Sequence, residues 1–217
     1  MNTGAGTPEA RPGAAAQAPR PAVPVSHLLY LHGFRSSPQS TKARLTAAWV
    51  QRHHPEVQWC CPQLPPSPRD AMHALLDRVT GWPTARSGVI GSSLGGFYAT
   101  ALAERLGWRA ALLNPAVDPA RDLQSHIGEI TAWHSDERFF FRAEFIEELR
   151  ALAPPALTRL ERYFALIAKG DEVLSWAEMA ARCRGARIQL LEGGDHALSD
   201  FDRHLPAVMA FFGLLSG

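Results

Sequence analysis

The amino-acid sequence predicts an α/β fold with a minimal, mostly parallel sheet of about six strands and helices on both faces. Three observations carry the prediction. The chain has 217 residues and is 46% hydrophobic, enough for one domain with a sizeable core. From residue 27 onward, short β-branched or aliphatic runs alternate with segments of helical period, the pattern of βαβ units. A glycine-rich turn at 88–96 joins one such run to one such segment.

Residues 1–25 are Ala, Pro and Gly with a few charges, and Val23 and Val25 are their only bulky core formers. Prolines interrupt any apolar stretch, so the segment reads as a disordered tail and not as a signal peptide. The domain is expected over 26–217. Its strand runs are 27–31, 57–61, 88–91, 110–114, 163–168 and 187–191. Helices are expected at 42–53, 69–80, 94–106 and 175–183, with a last one at about 201–215. Right-handed crossovers put such helices on both faces of the sheet. Ser40 stands where it would cap the first helix.

One region is too long for a simple crossover. Residues 118–160 carry Ile130, Trp133, Phe139, Phe140, Phe141, Phe145 and Ile146. They are read as a small cap insertion. It either packs a helical pair around its own core or offers an apolar wall to a site, and both can hold at once.

Composition narrows the function. The formal net charge is +1 with no basic stripe, which argues against nucleic acid as a partner. No apolar run approaches the ~20 residues of a membrane span. Cys60, Cys61 and Cys183 are odd in number and include an adjacent pair, so they read as reduced thiols of a cytoplasmic protein. Paired zinc-ligand spacings do not occur.

The chemistry sits in Gly88-Val89-Ile90-Gly91-Ser92-Ser93-Leu94-Gly95-Gly96. Gly91, Ser93 and Gly95 form G-x-S-x-G between an expected strand and an expected helix, the context of a nucleophile elbow. Larger side chains two residues either side of the serine would collide in so sharp a turn. Ser92 is the rival nucleophile, but bulky Ile90 stands two residues before it. The first strand run ends in His32-Gly33-Phe34, which reads as an oxyanion loop. The backbone N–H groups of Phe34 and Leu94 are the expected oxyanion donors, and His32 is expected to brace the loop.

In the α/β-hydrolase fold the triad runs Ser, acid, His along the chain. Asp171 follows the run 163–168, and His196 follows the run 187–191. Both belong at the C-terminal edge of the sheet, where open α/β sheets place their sites. Asp118 is the serious rival acid, and Glu172 and Asp195 are weaker ones. His196 would accept the Ser93 proton, and Asp171 would fix its tautomer. This chemistry requires no metal or organic cofactor. Trp133 and Phe140 are the expected substrate-binding aromatics of the cap.

Six blocks in order carry a family resemblance. They are Leu29-Tyr30-Leu31-His32-Gly33-Phe34, Pro62-Gln63-Leu64-Pro65-Pro66, 90–100, Leu113-Asn114-Pro115-Ala116-Val117, Gly170-Asp171-Glu172-Val173-Leu174 and Glu192-Gly193-Gly194-Asp195-His196-Ala197. Over residues 27 to the end, the chain resembles the YqiA-type bacterial esterases, small α/β-hydrolases. The resemblance implies a cytoplasmic esterase or thioesterase acting on small acyl esters, with acyl-CoA thioesters as a further candidate. It carries the triad onto Ser93, Asp171 and His196. The contrasting class is a hydrolase fold used for binding or scaffolding with a silent triad.

Overall fold

The computed structural model describes residues 23–131 and 138–215. The expected tail lies outside them except for its last three residues, and Trp133 lies outside them too. Val25 is already buried and its N–H donates to Phe212 O at 3.1 Å, so the packed body starts just before the expected boundary.

The six expected strands are present. They are β1 (His27–Leu31), β2 (Gln58–Cys60), β3 (Ser87–Ser92), β4 (Arg109–Leu113), β7 (Tyr163–Ala168) and β8 (Arg187–Leu191). They form one six-stranded sheet in the order β2-β1-β3-β4-β7-β8, and every pairing is parallel. The chain leaves β1 toward one edge and returns to β3 on the other side. This puts a topological switch point between β1 and β3, where α/β sheets open a crevice at the strands' carboxyl ends.

Alternate strand residues feed two separate cores. Leu29, Leu31, Val89, Ala110, Leu112, Ala165 and Ile167 face one side. There they meet α2 (Pro68–Arg78), α3 (Leu94–Leu106) and α6 (Trp176–Arg182). Leu28, Tyr30, Ile90, Ala111, Leu113, Phe164 and Leu166 face α1 (Thr41–His53) and α7 (Phe201–Phe211) on the other. Burial on both faces explains why the central strands read as apolar runs without a polar alternation. These architectural facts define the α/β-hydrolase fold expected from the sequence.

Helix starts follow local chemistry in part. Ser67 Oγ accepts Asp70 N–H at 3.1 Å and Pro68 opens α2, while Ser175 Oγ accepts Glu178 N–H at the start of α6. Ser40 holds the N-cap position of α1, but its side chain makes no capping hydrogen bond. Gly107, in the left-handed conformation, ends α3.

The insertion departs from the expected helical pair. After the short α4 (Pro119–Asp122) come β5 (Gly128–Thr131) and β6 (Arg138–Phe141), an antiparallel pair, and then α5 (Glu144–Leu152). Three consecutive phenylalanines favour a pleated, half-buried surface over a helix. The insertion is pinned to the body by Glu148 of α5. Its buried carboxylate accepts Ser67 Oγ–H at 2.8 Å and Arg69 N–H at 3.1 Å at the start of α2.

Candidate active site

β3 delivers Ser93 onto a turn that only a particular sequence tolerates. Ser93 has φ 55 and ψ −122, a conformation L-residues seldom adopt. Its surroundings enforce it. Ser93 N–H donates to Leu113 O at 3.0 Å, and its carbonyl accepts Gly96 N–H at 2.8 Å and Ala116 N–H at 3.0 Å. A Cβ on Gly91 would lie 2.2 Å from Gly95 O, and one on Gly95 would lie 2.0 Å from Leu31 O. The two glycines are therefore steric requirements of the turn. Ser92 is buried at the end of β3, whereas Ser93 is partly exposed.

The loops after β7 and β8 bring an acid and a base to this serine. His196 Nε2 lies 3.1 Å from Ser93 Oγ, and His196 Nδ1 lies 2.8 Å from Asp171 Oδ2. The Asp171 side chain is wholly buried. Its other oxygen accepts the N–H groups of Val173 and Leu174, each at 2.8 Å. A carboxylate held this way accepts from Nδ1–H, leaving Nε2 bare to accept the serine proton. Asp118, the rival acid, instead accepts Arg121 N–H as the N-cap of α4. Asp195 accepts Ser199 N–H and Oγ–H. The expected Ser93, His196 and Asp171 are thus brought together on one hydrogen-bonded line.

The model of the uncharacterised protein family UPF0227, the family of the YqiA-type proteins, matches residues 27–213. The chain belongs to this family. The blocks that carry the resemblance in the sequence are those that build the elbow, the acid loop and the histidine loop. Solved structures agree on the fold. Mouse alpha/beta hydrolase domain-containing protein 10 is 17% identical, with a TM-score of 0.62 over 82% of this chain and 85% of that one. Est1E from Butyrivibrio proteoclasticus, with ferulic acid bound, is 12% identical with a TM-score of 0.61, covering 89% of each chain. The esterase domain of a Rhodothermus marinus protein is 19% identical with a TM-score of 0.57, again covering 89% of each.

In this UPF0227 chain the loop after β1 crosses directly over the elbow. A Cβ on Gly33 would come within 3.2 Å of Ser93 Cβ, so the backbone at His32–Phe34 lies next to Ser93. His32 braces it as expected. Its Nε2 accepts Leu64 N–H at 3.2 Å, which leaves Nδ1–H to donate to Gly33 O at 3.0 Å. Burial lowers the pKa of His32 and keeps it in this neutral role.

The insertion reaches the same loop. Arg35 Nε donates to Thr131 O at 2.7 Å. The Phe34 ring packs edge-on against Phe141, Phe139 and His126. Strand alternation turns Phe140 the other way, and it is 59% exposed. The aromatics on Phe34's side are therefore Phe139 and Phe141.

Two residues beside the base were not singled out from the sequence as its supports. Asn114, fully buried with φ 41, follows β4. Its Nδ2 donates to Asp195 O at 3.0 Å and His196 O at 3.3 Å, and its Oδ1 accepts Ala168 N–H at 2.8 Å. It ties the ends of β4 and β7 to the histidine loop. Glu172, weighed only as an acid, accepts His196 N–H at 2.9 Å. The one available signal was a polar Asn before Pro115 at the end of an apolar strand. The thiols stand apart: burial pushes Cys61 up to about 12 and Cys183 up to about 11, which leaves both un-ionised and poor nucleophiles.

Proposed function

We propose that this chain is a serine hydrolase that cleaves carboxylic esters, and thioesters such as acyl-CoA, through an acyl-enzyme on Ser93. The observation that carries the reading is the line Asp171–His196–Ser93, at 2.8 and 3.1 Å, ending on a strained elbow. A solvated surface serine needs neither the strain nor an oriented imidazole.

The proposed steps use this geometry. His196 Nε2 takes the Ser93 proton as Oγ attacks the acyl carbon. Asp171 holds the imidazole tautomer and stabilises the imidazolium that forms. The carbonyl electron pair moves to oxygen, and that oxyanion is assigned to the N–H groups of Phe34 and Leu94. Phe34 lies on the loop over Ser93, and Leu94 opens α3, where backbone N–H groups lack helical partners. The intermediate collapses, and His196 returns the proton to the leaving alcohol or thiol. Water, deprotonated by His196, then attacks the acyl carbon; the bond to Ser93 Oγ breaks, the acid leaves and His196 returns its proton to Oγ. The substrate is a small acyl compound whose chain meets the face of the insertion that carries Phe139.

The test is hydrolysis of a panel of p-nitrophenyl esters and acyl-CoA thioesters of graded length. Ser93→Ala is expected to lower kcat by a factor on the order of 10⁶. Ser92→Ala keeps a substantial fraction of the parental rate. Loss of activity in Ser92→Ala alone would overturn the assignment. Absence of turnover on every ester and thioester would favour the binding or scaffolding class.

A further inference from the structure

We propose that Lys42 is a positioning residue for His196, its ammonium fastening the carbonyl that follows the catalytic base. The proposal rests on the reading of Ser93 and His196 as nucleophile and base.

The histidine loop holds itself only on its C-terminal side, where Asp195 accepts Ser199 N–H and Oγ–H and its carbonyl accepts Leu198 N–H. It follows Gly193 and Gly194, the latter at φ 83, and it is neither strand nor helix. Side chains from three other segments hold its backbone on either side of His196 as well. Asn114 binds the carbonyls of Asp195 and His196, and Glu172 binds the N–H of His196. Lys42 completes the set, its Nζ donating to Ala197 O from 155 residues away in sequence. Three consecutive carbonyls around the base are thus each fixed by a side-chain donor.

Lys42 stands where a lysine is otherwise unfavourable. It lies in the first turn of α1, against the positive end of the helix dipole. Its ammonium is largely withdrawn from water, and burial pulls its pKa down to about 8 despite the attraction of Asp195 and Asp171. Those two carboxylates belong to the histidine and acid loops, so the lysine's charge is spent on the site. Residues that break a local stability rule are expected at functional positions. At the other end, Thr46 Oγ1–H donates to Lys42 O at 2.7 Å, steadying the first turn from which the side chain projects.

The experiment compares parent, Lys42→Met and Lys42→Arg in two assays: ester turnover, and the rate of covalent labelling by a fluorophosphonate, which reads the Ser93–His196 pair without turnover. A base displaced by a fraction of an ångström to 1 Å costs up to about 100-fold. Lys42→Met is expected to lose about ten- to a hundred-fold in kcat and a matching factor in labelling rate, with KM within about two-fold. Lys42→Arg, which keeps a cationic donor, retains most of both. Parental kcat and labelling in Lys42→Met overturn the proposal. So does a loss carried by KM, or an equal loss in both variants, because packing and not the donated hydrogen bond would then be at work. If the parent itself is not labelled, the serine-hydrolase reading fails first.

Discussion

Ser93 and Asp171 are fixed largely by their near neighbours in sequence, whereas the insertion, like the histidine loop, is fixed by partners far along the chain. Ser93 is shaped by Gly91 and Gly95, and Asp171 by the N–H groups of Val173 and Leu174. By contrast, Arg35 meets Thr131 across 96 positions, and Ser67 meets Glu148 across 81. The serine and the carboxylate sit on short turns held by their own neighbours, and the imidazole leans on distant side chains. The insertion is a separate layer, bound to the body through a few side chains. Local enforcement is written in spacing, and long-range docking is not.

The largest effect that can break this comparison belongs to the acid. Asp171→Asn is expected to fold normally but to lower kcat by about 10⁴, the cost of a wrong imidazole tautomer in another triad. Asp118→Asn, which disturbs only the cap of α4, keeps near-parental turnover. The reverse ranking would move the acid to the insertion and dissolve the distinction.

A smaller effect sharpens it. If the insertion supplies an apolar wall, Phe139→Ala weakens kcat/KM more for medium-chain than for acetyl esters. One lost methylene contact is worth about 0.8 kcal/mol, or about four-fold. Phe140→Ala leaves that chain-length ratio unchanged, because its ring faces solvent. A changed ratio in Phe140→Ala with an unchanged one in Phe139→Ala would show that the wall is on the other face.

The smallest effect is on stability and comes from Lys42. Its folded pKa of about 8 lies below the ordinary lysine value of 10.5. Between those values the unfolded chain binds a proton that the folded chain does not, so this group makes stability rise with pH from about 8 upward. Below about 8 both states are protonated and the folded state carries the buried charge. Urea midpoints of parent and Lys42→Met, measured from pH 7 to 10, should diverge in the parent's favour as pH rises. Parallel curves would mean that the ammonium is not withdrawn from water.

The sheet was legible because each strand is an apolar run closed by a turn. β1, β7 and β8 match the expected runs residue for residue, and α3 does as well. The set Ser93, Asp171 and His196 was legible because its members follow β3, β7 and β8 in the chain order serine, acid, histidine. The insertion was not. Arg138–Phe141 has no period that separates a strand from a buried helix, and its register with β5 is decided by packing on Phe34. Phe140 reads in the sequence only as one aromatic among three, and its face is set by the register with β5. Asn114, Glu172 and Lys42 were hidden for a further reason: each acts on backbone atoms of a distant loop, and backbone partners leave no mark on residue type.

The most direct test of the account is where an activated-serine probe attaches. Incubation of the full chain with a fluorophosphonate, followed by peptide mass spectrometry, should place one adduct on Ser93. It should be absent from Ser93→Ala and slowed by orders of magnitude in Asp171→Asn. An unmodified Ser93 in folded protein, or an adduct on Ser92, would contradict the central claim that the line Asp171–His196–Ser93 is an activated nucleophile.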